Sequence, residues 1–203
     1  MTPRFQVVAT PAISNLDLPN EDSRSVDLED TNLFALNRFP GYDRYEDNVR
    51  ATYGVEWNLS RPNLSINAIV GQSYRLANNS NIVPEGTGLS ERFSDIVGRT
   101  EIRFKDVVKL THRYRLDKDS AAVRRNEIDA TVGSYWSVFG SAIVDLTDAR
   151  EDPTSSADGF EPVRHRVGVA YDDGCLSLGV TWRYDYDDTG DDQRGSTFLF
   201  RLA

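Results

Sequence analysis

One cysteine, one methionine and two histidines are all that 203 residues supply of these types, and each scarcity excludes something. A single thiol cannot form a disulfide framework within the chain. Two imidazoles, His112 and His165, leave few bases for histidine-dependent catalysis. No apolar run reaches the roughly 18 to 20 residues that a membrane-spanning helix needs. Basic side chains are outnumbered, 23 against 32, for a net charge of −9. Sequence-independent nucleic-acid binding would need a concentrated basic patch, and none is visible. The opening residues, MTPRFQVVAT, lack a basic stretch followed by an apolar one, so no signal peptide is expected. Either the polypeptide stays in the cytoplasm, or its mature portion begins upstream and the chain is a piece of a longer protein. With a mean hydropathy of −0.50 the average is that of a soluble acidic domain, and the length suits one domain or part of a larger one.

What the sequence has in abundance is alternation. From Asn48 to Leu59, Val49, Ala51, Tyr53, Val55, Trp57 and Leu59 alternate with Arg50, Thr52, Gly54, Glu56 and Asn58. That is a two-faced strand, long for a soluble protein. The same period governs Leu64 to Val70, Ile96 to Lys105, Val108 to Leu116, Glu127 to Val132, Val163 to Tyr171 and Leu176 to Tyr184. Residues 135–146 are apolar on both faces. With short strands near 4–9 and 195–202, ten strands are predicted in an all-β antiparallel chain.

The connections alternate as well. Long segments at 11–46, 77–92, 147–161 and 187–195 and a medium one at 117–121 take turns with tight ones at 60–62, 105–106, 133–134 and 172–174. All long loops therefore fall at one end of the sheet. Outer-membrane barrels have this asymmetry, together with an apolar face toward lipid and a polar lumen. Arg99, Glu101 and Arg103, then Lys109, Arg113 and Arg115, then Arg125, Glu127 and Asp129 would line that lumen and pair across the ladder. A soluble barrel or sandwich, binding or structural in role, would use the apolar set as its core, and periodicity alone does not separate the two. Strand length and loop alternation favour the membrane. Outward Arg124 would then lie at the outer interface, and Tyr53, Trp57, Tyr74, Tyr135, Trp136, Tyr171, Trp182, Tyr184 and Tyr186 would form interfacial girdles.

Nothing points to catalysis. His112 and His165 share the apolar register of their strands, and no Gly-x-Ser-x-Gly, His-Glu-x-x-His or P-loop pattern occurs. The first long loop holds Asp17, Glu21, Asp22, Asp27, Glu29 and Asp30, then the apolar Leu33, Phe34, Leu36 and Phe39. The acids read first as a solvated run, and second as hard-oxygen ligands for a divalent cation or a surface repelling phosphorylated sugars. The apolar residues would anchor a loop that folds back into the lumen. No cofactor and no resident metal is expected.

Two stretches carry a resemblance. Gln193, Gly195, Phe198 and Phe200 are similar to the signal on last barrel strands that the outer-membrane barrel-assembly machinery reads. The block DTNLFALNRFPGYDR, with Asn32, Leu33, Phe34, Asn37, Arg38, Phe39, Pro40, Gly41, Asp43 and Arg44, resembles the C-terminal barrel region of the lipopolysaccharide-assembly outer-membrane protein family, LptD or OstA. FQVVATP, YDDGC and the terminal strand fall in the family's order, so the resemblance spans residues 1–203, but only the last part of a family member. It implies a segment of the lipopolysaccharide translocon in the outer membrane. The implied partners are an LptE-like lipoprotein, lipopolysaccharide and, through an N-terminal domain absent here, the periplasmic Lpt bridge. Residues 195–202 would border its lateral gate, and the chain alone would not be competent. The family commonly carries a cysteine pair bonded to its N-terminal domain near YDDGC, so Cys175 reads as half of such a bridge or as a free thiol.

Overall fold

A computed structural model describes residues 1–11, 26–39, 41, 43–46, 49–76, 83, 87–147, 159–186 and 194–202. Ten strands follow one another: β1 (Thr2–Ala9), β2 (Val49–Arg61), β3 (Leu64–Arg75), β4 (Ile96–Phe104), β5 (Val108–Leu116), β6 (Val123–Gly133), β7 (Trp136–Asp145), β8 (Glu161–Asp172), β9 (Ser177–Asp185) and β10 (Gly195–Leu202). Each pairs antiparallel with its chain neighbours in a single sheet of order β1 to β10. The ten predicted strands are all present. The sheet is open: among the described residues β1 pairs only with β2 and β10 only with β9.

Turn chemistry holds the meander in register. Gly133 adopts a φ of 133° in the β6–β7 turn, and a Cβ there would lie 2.0 Å from the Trp136 carbonyl oxygen, so only glycine closes this turn. Long connections all leave from the opposite end, as the sequence predicts.

The two faces are sorted in an unusual way. Register places Phe5, Tyr53, Val70, Ile128, Val138, Val167, Val180, Phe198 and Phe200 on one face, and all of them are exposed. The opposite face carries Arg50, Thr52, Ser73, Arg99, Arg113, Arg115 and Arg125, and this polar side is the covered one. The core lies between it and the loops: Val26, Leu28, Leu33, Phe39, Val83 and Leu89 pack with Val97 of β4. A soluble sandwich buries its apolar face instead, so the apolar set is not the core of this chain.

One side chain departs from its expected face. Alternation puts Arg124 outward, but a β-bulge shifts the β5–β6 register between Arg115 and Leu116, which adds a residue and re-aims it. Arg124 instead joins the covered side, bonded to Asp117 and 3.9 Å from Asp95.

Candidate functional site, a loop docked on the polar face

The sequence block singled out in the first long loop folds as a compact plug. Asn32 forms its hinge: its Oδ1 accepts from the Glu29 amide at 2.9 Å, and its Nδ2 donates to the Asp27 carbonyl at 2.7 Å. A second clamp comes from Asn37, whose Nδ2 donates to the Arg44 carbonyl at 2.9 Å and whose Oδ1 receives the Phe39 amide. Between them, Leu33 is 1% exposed and Phe39 is buried. Phe34 packs at the edge of the same cluster, while Leu36 points away and is exposed. Three of the four apolar anchors expected from the sequence therefore engage the sheet.

The socket is made of glycine. Gly54 of β2 and Gly71 of β3 lie directly opposite each other. A Cβ on Gly71 would meet Leu33 Cδ2 at 2.6 Å, and one on Gly54 would meet Phe34 at 3.3 Å. Glycine in a strand interior weakens the strand but allows close approach of another segment, and here that segment is the loop.

A buried ionic triad ties the plug down. Glu46 accepts from Arg38 at 3.1 Å and from Arg50 of β2 at 2.5 Å. Further donors reach the loop's own carbonyls: Arg38 donates to the Leu33 oxygen at 2.9 Å, and Arg50 to the oxygens of Ala35 at 2.5 Å and Leu36 at 2.8 Å. Burial lowers the Arg38 pKa to about 10, with Glu46 opposing the shift, so the guanidinium stays charged at neutral pH. Such fork-shaped donors suit a site with several carbonyls to satisfy.

Of the loop's described acids Asp30 is buried while Asp27 and Glu29 stay partly exposed, and all three reach arginines of the sheet. Strand register sets Arg99 opposite Arg113 and Arg115 opposite Arg125, two like-charge pairs that would repel. Into the first pair comes Asp30, 3.3 Å from Arg99 and 3.5 Å from Arg113. Asp27 enters the second, 3.5 Å from Arg115 and 3.3 Å from Arg125, and Glu29 adds a contact of 3.5 Å to Arg125. Arg113 also meets Glu127 and Asp129, as the lumen pairing predicts. Among the described residues no group of acids, histidines or cysteines has the arrangement of a metal site. Asp17, Glu21 and Asp22 lie outside the described residues, as do Pro40 and Gln193.

Asp30 is an uneasy partner. Its side chain is 2% exposed, yet neither carboxylate oxygen accepts a hydrogen bond. Burial raises its pKa above the ordinary value, although Arg99 and Arg113 pull it down.

Other expected positions are accounted for separately. Gly41 turns with a φ of 82°. Asp43 and Arg44 complete the block. On β10, Phe198 and Phe200 project from the exposed apolar face, opposite Trp182 and Val180. Cys175 is exposed in the tight β8–β9 turn, where its amide donates to Asp173 at 2.9 Å, and it is free. His112 keeps its outward register and bonds Asn126 at 2.7 Å, and His165 stacks edge-on with Tyr186.

A family model described as "LPS transport system D" matches residues 1–140. The chain belongs to the LptD family. It is also 35% identical, over 94% of its length, to the "LPS-assembly protein LptD" of Acinetobacter baylyi, of which it spans 27%. The docked block lies within the matched region.

Sequence reasoning identified the plug but missed what holds it. Glu46 and Arg50, Gln6 of β1, which donates to the Phe34 carbonyl at 3.2 Å, and the second loop's Val83 and Leu89 carried no signal of their own.

Proposed function

We propose that residues 1–203 form the C-terminal part of an outer-membrane β-barrel that delivers lipopolysaccharide to the outer leaflet, as a transporter rather than an enzyme. One observation carries this reading: the family's sequence block covers the polar face while the apolar face is left exposed, the sorting required when lipid surrounds the protein and cargo passes inside. Membership of the LptD family supports it. On this reading β10 borders a lateral gate, and Gln193, Gly195, Phe198 and Phe200 form the signal read by the barrel-assembly machinery. An LptE-like lipoprotein and a periplasmic bridge, engaged through a domain outside this chain, complete the pathway.

The open sheet supports the view that the chain is incompetent alone. Complementation of a depleted strain by these 203 residues would overturn that view. Deleting residues 31–41 from the full-length protein should impair assembly or transport and sensitise cells to detergent; wild-type resistance after the deletion would remove the loop from the function. Cys175, at the short-turn end, is assigned half of a disulfide to that outside domain. A mobility shift on non-reducing gels that disappears in Cys175→Ser supports the assignment, and identical mobilities refute it.

A further inference from the structure

Beside the plug, on the same polar face, lies a cavity of about 440 Å³. Its wall holds Lys109, Arg113 and Arg166 against Glu127 and Asp129, with Phe139 as an apolar floor. That is three cations against two carboxylates, with Lys109 also 3.8 Å from Glu101. The Phe139 ring lies over Gly168, where a Cβ would be 2.3 Å from it, and Arg166 covers the ring at 6.0 Å. An aromatic platform, hydroxyl-accepting carboxylates and planar guanidinium forks together suit a saccharide bearing a phosphate. Thr111 and Thr131 add hydroxyls to the same wall.

The cavity and the plug share one residue. Arg113 lines the cavity and also faces Asp30, at 3.5 Å and without a hydrogen bond. We propose that the cavity binds a phosphorylated sugar, and that this ligand competes with Asp30 for Arg113, so that occupancy loosens the docked loop. Arg113 Nη1 donates to Glu127 at 2.9 Å and Asp129 at 3.1 Å, and a phosphate offers its Nε, which has no hydrogen-bond partner, the short contact that Asp30 does not make. Once Arg113 turns to the ligand, Asp30 is a buried carboxylate with Arg99 alone, and such a group favours leaving. Burial already holds its carboxyl above the ordinary range with both arginines present. Cargo would thereby open its own path. This rests on the transport reading and adds to it the residue through which cargo acts on the loop.

The test uses the full-length protein purified in detergent, with glucose 6-phosphate as probe, and glucose and inorganic phosphate as controls. Binding is measured by calorimetry, and loop docking by hydrogen exchange of residues 26–39. Glucose 6-phosphate should bind and speed exchange of the loop severalfold, while neither control does. Asp30→Asn removes the competitor: it should tighten the sugar phosphate about tenfold, a common size for such coupling, and exchange should no longer respond. Arg166→Gln, which alters the cavity away from the loop, should abolish binding. Three results would each overturn the proposal: no binding, binding with unchanged exchange in the parent, or an equal effect from inorganic phosphate. Each would leave the transport reading standing as long as deletion of residues 31–41 still sensitises cells.

Discussion

The strands β1 to β6 and β7 to β10 share one pattern of alternation but are held in different ways. Among the described residues, every buried hydrophobic side chain lies at or before Val97, in the part of the sheet that carries the plug. Among the described residues, those buried from β7 onward are Thr147, Gly168 and Asp185, none with an apolar side chain, while Trp136, Phe198 and Phe200 are at least 62% exposed. The family match, too, ends at residue 140, in β7. The difference teaches that one half of the sheet has a core of its own, made by a loop. The other half has a ladder and an apolar outer surface, and depends on its surroundings.

The contrast can be broken most severely at Glu46. Glu46→Gln leaves Arg38 and Arg50 buried without an anion, and removal of one member of a buried ionic cluster costs about 3–5 kcal/mol. Exchange at residues 26–46 should rise steeply while β8 to β10 are unaffected; uniform destabilisation would show that the halves are one cooperative unit. The second half should break from outside. Val167→Arg, mid-strand on the exposed face, should cost about 2–4 kcal/mol in a bilayer. Thr181→Arg, on the polar face of the adjacent strand, should stay within about 0.5 kcal/mol. Unfolding midpoints in vesicles compare the two, and equal values would contradict a lipid-facing surface. Smaller than the Val167→Arg effect is that of Gly71→Ala, which crowds Leu33 Cδ2 and the Tyr53 carbonyl, at 2.6 and 2.7 Å. Overpacking of this kind costs about 1–3 kcal/mol, visible as faster exchange of the loop alone.

The strands were legible because period two is imposed by strand geometry itself, and all ten appear where Val49 to Leu59 and its successors predict them. Asn32, Asn37, Arg38 and Gly41 could be named from a resemblance, and their roles as clamps, buried donor and turn follow from their chemistry. What the sequence could not disclose depends on register. Whether Arg99 meets Glu101's strand neighbour or Arg113 is fixed by a pairing offset that composition does not encode. The result, arginine opposite arginine, is what gives Asp27 and Asp30 a place to go. Arg124 escaped for the same reason, since a single bulged residue reverses its face. The open edges of β1 and β10 are likewise a property of the assembled sheet.

The gentlest perturbation is pH, and its sign separates two accounts of the plug. Asp30 and Asp95 both have pKa values raised above 3.8 by burial, against Arg99 and Arg113 for the first and against Arg124 and Arg115 for the second. Glu29 adds to the upward shift of Asp30, and Asp117 to that of Asp95. A raised carboxyl favours the docked state in its protonated form, so its contribution is complete below 3.8 and is lost as pH rises through the docked value. Arg38, at about 10, remains charged throughout this range. Asp117 behaves oppositely: burial pushes its carboxyl up, but the Ser120 amide and hydroxyl, the Asp119 amide and Arg124 outweigh that and hold it well below the ordinary range. Its turn therefore stays intact while Asp30 and Asp95 take up protons. Lowering the pH from 7 toward 3.8 should thus increase the protection factors of residues 26–39 and leave residues 117–122 unchanged. If apolar burial of Leu33 and Phe39 is what seats the plug, this sign must hold. A loss of loop protection on acidification would instead make the arginine pairs its main anchor, with the carboxylates gripping the sheet rather than being tolerated by it.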